Sequence, residues 1–365
     1  MSLARPLMPR ARRFLAVLIV LILAAPSLGM FVARYQDRSV MERRVLTPVP
    51  RAPHGAAGWI AYPAALDAFI RDHFAGREKL IFADLLISAR AKLKPAAAAN
   101  TNVLQGAGDW LLLRPGLLGA TGGELDPKAA DRYGAFACAL SSDMKARGVR
   151  FLFAPGPGPA EIYPEALADW VPRGPVTQSD LVLKAVHGCG APVLDLRPAM
   201  LAAKGQGGLY QHHDSHWTNI GALVAFNGVA QALGQPWSID PAAMDWRPTK
   251  ATESDLVRLS GLVNLPDEML PEPPEGPDGR PAGEVEGLDH GIYPPAFLTS
   301  AASGSTVLIV GDSYTSDFMP QYFRRAGVRL AWIHQADCRF DRRIFDRVRP
   351  DIVVLMPASR QAACH

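Results

Sequence analysis

The sequence predicts an α/β protein whose parallel sheet is covered by helices on both faces. Three observations predict it. From residue 128 onward, stretches of helical periodicity alternate with short apolar runs, the order that builds parallel strands joined by crossover helices. The runs themselves, such as TVLIV at 306–310 and DIVVL at 351–355, are aliphatic and β-branched without polar alternation, as strands buried on both faces read. Gly and Pro, 32 of each, gather between the periodic segments and mark long irregular connections.

The chain of 365 residues is long enough for a sizeable core. Its 38 basic and 35 acidic residues leave a net charge of +3. Much of that excess lies in Arg5, Arg10, Arg12 and Arg13, so the remainder is near neutral. No basic stripe interleaved with aromatics is present, and no nucleic-acid partner is expected.

Residues 1–13 read as a basic cytoplasmic segment and residues 14–33 as a transmembrane signal-anchor. The second stretch is apolar and uncharged, and about 20 such residues span a bilayer. The leading arginines place the N-terminus in the cytoplasm. The expected location is thus the inner membrane, single-pass, with the bulk of the chain in the periplasm. A cleaved signal peptide is the rival, with Phe14–Ala25 as its apolar part and Ser27-Leu28-Gly29 as a cleavage site. Either reading exports residues 35–365. Four cysteines, Cys138, Cys189, Cys338 and Cys364, then face an oxidising compartment. Of three pairings, Cys138–Cys189 is favoured because each residue precedes a strand expected to be a neighbour. Free buried thiols are the alternative. No C-x-x-C spacing suggests zinc.

Residues 34–100 are read as a linker followed by N-terminal helices. The span 34–58 is rich in Pro and charge, and 62–94 carries helical periodicity interrupted at 72–77. Residues 101–365 form the main domain. Residues 102–113 (NVLQGAGDWLLL) read as a hairpin. A helix at 128–147 leads to a strand at 149–153, and a helix at 178–187 to a strand at 192–196. A helix is expected at 218–233. Then come a strand at 306–310, a helix at 314–326, a strand at 328–333, a helix at 342–348 and a strand at 351–355. The PGPGP loop at 155–159 lacks the P-loop and G-x-G-x-x-G patterns, and its prolines donate no N–H. It reads as a rigid loop. Residues 261–303 are an irregular insertion, with PEPPEGPDGRPAGE at the centre. Such a stretch is either a solvated excursion or a flap over the site.

The candidate chemistry sits at two places. In VLIVGDSYTSDF (307–318), Ser313 stands where a strand meets a turn, at the carboxyl edge where open α/β sheets bind ligands. A helix opening there offers N–H groups to a developing anion. In LYQHHDSHWTNIGA (209–222), Asp214 and His216 are two residues apart, so in an extended loop their side chains point the same way. A carboxylate orienting an imidazole that faces a serine is the arrangement of an activated nucleophile. Two other readings stay open. His212, His213, Asp214 and His216 together resemble a metal cluster, and Asp214–His216 resembles a surface ion pair.

D-x-H-W followed by T-x-x-G-A, with G-D-S-[FY] far downstream, resembles the SGNH-like alginate O-acetyltransferases, the AlgJ and AlgX group. Residues 74–81 (FAGREKLI), 108–112 (GDWLL), 161–165 (EIYPE) and 193–201 (VLDLRPAML) are similar to further family segments, although Asp109 stands where the family has Gly. The resemblance spans roughly residues 65–360. It implies an SGNH-hydrolase-like fold, with Ser313 as nucleophile, His216 as base and Asp214 as its orienter, and with Trp217, Tyr314 and Arg360 as substrate contacts. It implies no metal and no cofactor. The implied activity is transfer of acetyl through an acetyl-serine onto hydroxyls of an exported polysaccharide. An integral-membrane acyltransferase of the MBOAT type is the implied source of acetyl. Two departures bear on the substrate: Pro159 stands near the family's Lys, and Ser359 replaces the acidic residue before Arg360. An SGNH-type carbohydrate acetylesterase and a non-catalytic exopolysaccharide-binding scaffold are the alternatives.

Overall fold

The structure, a computed structural model, describes residues 14, 38–39, 44–74, 102–205, 207–251, 254–260, 265–273, 283–299 and 305–364. The chain divides into two compact units, residues 1–96 and 97–365.

In the first unit, β1 (Arg38–Ser39) and β2 (Arg44–Val45) pair antiparallel and α1 spans Gly55–His73. Thr47 ties the segment after β2 to the end of α1. Its amide and hydroxyl donate to Asp72 Oδ2 at 2.8 and 2.7 Å, and its carbonyl lies 2.7 Å from His73 Nε2. The second helix expected up to residue 94 lies outside the described residues. The expected location is corrected. Among the described residues no helix is long and apolar enough to cross a membrane, and single-pass inner-membrane anchoring is withdrawn. The span 14–33 itself, apart from Phe14, lies outside the described residues.

The second unit opens with the hairpin of β3 (Val103–Gln105) and β4 (Leu111–Leu113) and the short helix α2 (Leu117–Thr121). Helix α3 (Pro127–Ala146) starts where Asp126 accepts the Ala129 amide at 2.9 Å and Pro127, which has no N–H to lose, takes the first turn. Strand β5 (Arg150–Phe153) and the single turn α4 (Pro159–Ile162) follow. Helix α5 (Gln178–Gly188) is fixed by a capping box between Thr177 and Asp180. Then come α6 (Arg197–Ala203) and α7 (Asn219–Ala232), the latter capped by Thr218. Strand β6 (Arg247–Lys250) precedes α8 (Asp255–Ser260), and β7 (Met269–Glu272) returns to pair with β6. The rest is β8 (Gly283–Glu284), β9 (Phe297–Leu298), β10 (Thr306–Gly311), α9 (Ser313–Ser316), α10 (Pro320–Arg325), β11 (Arg329–His334), α11 (Ile344–Val348) and β12 (Ile352–Met356).

The main sheet has the order β5-β12-β10-β11-β9-β8. The first four strands are parallel, and β9 and β8 join antiparallel. The sheet is therefore mixed, not wholly parallel. Its antiparallel edge comes from within residues 261–303, where the two-residue strand β9 pairs with β11 and β8 pairs with β9. Alternate residues of the central strands feed opposite cores. Val307, Ile309, Leu330, Trp332, Ile352 and Val354 pack with α7 and α10. Leu308, Val310, Ala331, Ile333, Val353 and Leu355 pack with α3 and α5. Burial on both faces explains the unbroken apolar runs.

Two expected elements differ. Residues 192–196 form no strand, only a bridge between Val193 and Phe153. Pro192 cannot donate, and α6 begins at Arg197. The helix expected at 314–326 is two short helices, because Pro320 interrupts the i→i−4 hydrogen bonding and starts a new first turn. Disulfides join Cys138 to Cys189 and Cys338 to Cys364. The first pins α3 to the end of α5, and the second ties the loop after β11 to the last described residues.

Candidate active site

The base loop is a tight excursion before α7. Tyr210 bridges Trp217, the Gln211 amide donates to the His216 carbonyl at 3.2 Å, and the Thr218 amide donates to the Leu209 carbonyl at 2.9 Å. These bonds close a short loop that carries Asp214 and His216 on one side. Asp214 Oδ1 lies 2.6 Å from His216 Nδ1 and also accepts the His216 amide at 3.1 Å. Asp214 Oδ2 accepts the Asp255 amide at 2.7 Å. Burial pushes the Asp214 carboxyl up, the largest single influence. The hydrogen bond and charge of His216, with the contribution of Asp255, more than offset it and leave the group at about 2.

The serine comes from the other side of the core. Strand β10 is paired on both edges, so its end is rigidly placed. Gly311 is required there, since a Cβ would collide with Thr315 Oγ1 and come within 3.0 Å of the Met356 carbonyl. Asp312 then turns the chain: its carboxylate accepts the Tyr314 amide at 3.0 Å and the Ala358 amide at 2.7 Å. Burial pushes the Asp312 carboxyl up, against the opposing Arg360 charge and these two amides. Ser313, half-buried, opens α9 and sets its Oγ 2.7 Å from His216 Nε2. With Asp214 accepting from Nδ1–H, Nε2 is left to accept from the Ser313 hydroxyl. Helix α9 has only four residues, so it contributes far less dipole than the long helix expected there. The Tyr314 amide, being tied to Asp312, is already engaged as a donor.

The structure corrects the expected substrate contacts Trp217 and Tyr314. Both side chains are wholly buried, and a side chain with no exposed face offers none to a ligand. Trp217 Nε1 donates to the Tyr314 carbonyl at 3.0 Å, and the Tyr314 hydroxyl donates to the Ser215 carbonyl at 2.8 Å. They form the floor beneath His216, whose ring centroid is 5.3 Å from that of Tyr314. Gly156, from the PGPGP loop, lets this floor close: a Cβ there would meet the Trp217 and Tyr314 rings at 3.1–3.2 Å. Arg360 stacks its guanidinium 4.8 Å over the Tyr314 ring and donates to the Ser215 carbonyl and Oγ at 3.2 and 3.3 Å.

Sequence reasoning missed Asp255, Phe318 and the role of Ser215. Asp255 is buried, and its carboxylate accepts the Ser215 amide at 2.8 Å and hydroxyl at 2.6 Å. A lone Asp opening a short helix, 39 residues past His216, carries no local signal. Phe318, half-buried, packs its ring 5.9 Å from His216. The four-residue metal reading separates into two groups. His212 and His213 pair with Asp109 and Glu268, whereas Asp214 and His216 pair with each other and His216 with Ser313. Among the described residues, Asp214, His216 and Asp255 have ligand-like spacing, but their donor atoms are engaged with one another and with Ser215. Beside the base loop lies a small cleft whose lining includes Leu111, Leu113, Leu256, Pro159, Ser359 and Arg360. The two departures from the family pattern, Pro159 and Ser359, thus border the same space. Ser359 Oγ donates to Glu161 Oε2 at 2.6 Å.

The family model described as "SGNH hydrolase-like domain, acetyltransferase AlgX" matches residues 103–326. The chain belongs to this AlgX-type SGNH-like family. A "Probable alginate O-acetylase AlgJ" of Pseudomonas syringae pv. tomato is 29% identical over 189 residues, which cover 48% of this chain and 44% of that protein. The protein of the same name from Pseudomonas aeruginosa is 23% identical over 192 residues, covering 49% and 47%. The matched region spans less than half the length of these curated relatives. Among solved structures, Bacillus cereus PatB1 superposes with a TM-score of 0.54 over 72% of this chain and 97% of that one, at 13% identity. That likeness is one of fold. The family is SGNH-like α/β, with a mixed sheet flanked by helices as described above.

Proposed function

We propose that this chain is an O-acetyltransferase that carries acetyl on Ser313 and passes it to hydroxyl groups of a polysaccharide, alginate or a related exopolysaccharide. Membership of the AlgX-type family supports the reaction class. The observation that carries the reading is the unbroken run from Asp214 through His216 to Ser313, with contacts of 2.6 and 2.7 Å. His216 Nε2 takes the Ser313 proton as Oγ attacks the acetyl carbon of an ester or thioester donor. The Asp214 carboxylate stabilises the imidazolium that forms. The tetrahedral oxyanion is held by backbone amides at the start of α9, the Ser313 amide first among them, since that of Tyr314 donates to the capping Asp312 carboxylate. One such donor contributes about 2.7–4 kcal/mol. Collapse expels the donor's leaving group, which receives the proton from His216. The sugar hydroxyl then attacks acetyl-Ser313 while His216 removes its proton, and the free serine is regenerated. Phe318, beside the imidazole, excludes water from the face the sugar approaches. In the cell an integral-membrane acyltransferase would supply the acetyl donor.

Incubation of the full chain with p-nitrophenyl acetate and oligosaccharides of mannuronate tests this. The expected products are an acetylated protein that loses its label in Ser313→Ala, and acetylated sugar. Free acetate with no acetylated sugar would establish a hydrolase instead. No protein acetylation at all would overturn both.

A further inference from the structure

We infer that Asp255 and Ser215 are positioning residues that clamp the base loop and keep His216 in line with Ser313. This rests on the reading of His216 as the base.

Asp214 can orient His216 only if its own carboxylate is prevented from rotating. Its Oδ1 is committed to His216 through two contacts, and its Oδ2 is held by the Asp255 amide at 2.7 Å. Asp255 is in turn fixed on the loop. Its two carboxylate oxygens take the amide and the hydroxyl of Ser215, the residue between Asp214 and His216. Three hydrogen bonds thus link the first residue of α8 to Asp214 and Ser215, and two more carry the hold through Asp214 to His216. Asp255 Oδ2 lies 4.0 Å from His216 Nδ1, too far to accept its proton in place of Asp214.

The charge arrangement argues the same way. Asp214 and Asp255 are both buried, and two buried carboxylates beside one imidazole are costly unless compensated. Arg360 brings the compensating charge to the far side of Ser215, bonded to its carbonyl and hydroxyl. Among the described residues, the charged and titratable groups facing the clamp include Asp214, His216, Asp312, Tyr314 and Arg360. A neutral capping residue would begin α8 equally well, so the carboxylate is explained by what it holds. The clamp also accounts for Ser215, whose hydroxyl donates to Asp255 and accepts from Arg360.

The test uses the full chain and three measurements: thermal stability, the rate at which phenylmethylsulfonyl fluoride labels Ser313, and the low-field proton resonance of His216 Nδ1–H. In Asp255→Ala the resonance should broaden or vanish and labelling should slow by about tenfold to a hundredfold, the size expected for a misplacement of about 1 Å. Asp255→Asn keeps an acceptor for the Ser215 amide and should restore the resonance and most of the rate. Ser215→Ala should slow labelling several-fold. An unaltered resonance and labelling rate in Asp255→Ala, or in Ser215→Ala if Asp255→Ala fails to fold, overturns the inference. A wild-type Ser313 that resists labelling would overturn the proposed function instead, and the resonance comparison would still decide the clamp.

Discussion

Ser313 Oγ and His216 Nε2 stand 2.7 Å apart although 97 positions separate them in the chain. One residue opens the short helix that follows the central strand and the other belongs to a loop leading into α7, so the contact exists only in the folded domain. Two independently anchored elements meeting at hydrogen-bond distance is the arrangement a nucleophile and its base require.

Ser313→Ala and His216→Ala should each lower acetyl transfer by about three orders of magnitude or more, and the double variant should be no worse than either alone. Residues that act as one unit are not additive. Turnover of p-nitrophenyl acetate by the three variants checks this. Additive losses would mean the two side chains do not share a step.

Asp214→Asn should cost a factor on the order of 10³ to 10⁴ in turnover with a largely unchanged fold, because the amide leaves the imidazole in the wrong tautomer. Circular dichroism and turnover measured on the same preparation separate a catalytic defect from unfolding.

The Asp214 carboxyl also predicts acid sensitivity. Its folded value of about 2 lies below the ordinary carboxylate value. Its contribution to stability is therefore present above about pH 4 and lost as pH falls from about 4 through about 2. The amount is on the order of 2 kcal/mol. Urea unfolding between pH 2 and 6 should show this slope in the wild type, and Asp214→Asn should flatten it.

Gly156→Ala should cost about 1–3 kcal/mol, because the methyl enters the van der Waals space of the Trp217 and Tyr314 rings. Those rings carry His216, so turnover should fall by more than the lost stability explains. Thermal melting and turnover of the variant check both parts.

Replacing Cys138 and Cys189 together by serine should cost about 2–4 kcal/mol, since the disulfide closes a loop of 51 residues between α3 and α5. The site lies on other elements, so turnover at low temperature should be retained. Denaturant midpoints give the stability.

Much of this was legible in the sequence, for physical reasons that differ by element. Strands β10, β11 and β12 are buried on both faces, and their unbroken aliphatic runs say so without reference to anything distant. Helices α3, α5 and α7 announce their starts through Asp126, Thr177 and Thr218. Asp214 and His216 are two residues apart, so their partnership is a local property. Asp255 was invisible because its value depends on a fold-dependent meeting with Ser215. Trp217 and Tyr314 differ from expectation for a related reason: aromatic residues beside a candidate nucleophile read as ligand contacts, whereas both side chains are buried. The bridge at Val193 looked like a strand because periodicity ignores the missing N–H of Pro192. Strands β8 and β9, two residues each, are too short for any pattern.

Those two small strands determine how the sheet ends. On one side β8 offers two residues to a newcomer, one of them the charged Glu284. On the other, Phe153 of β5 already exchanges hydrogen bonds with Pro192 and Leu194. Among the described residues, neither margin of this sheet presents a long flat row of unpaired amides and carbonyls. A second molecule therefore finds little template for edge-to-edge pairing along it.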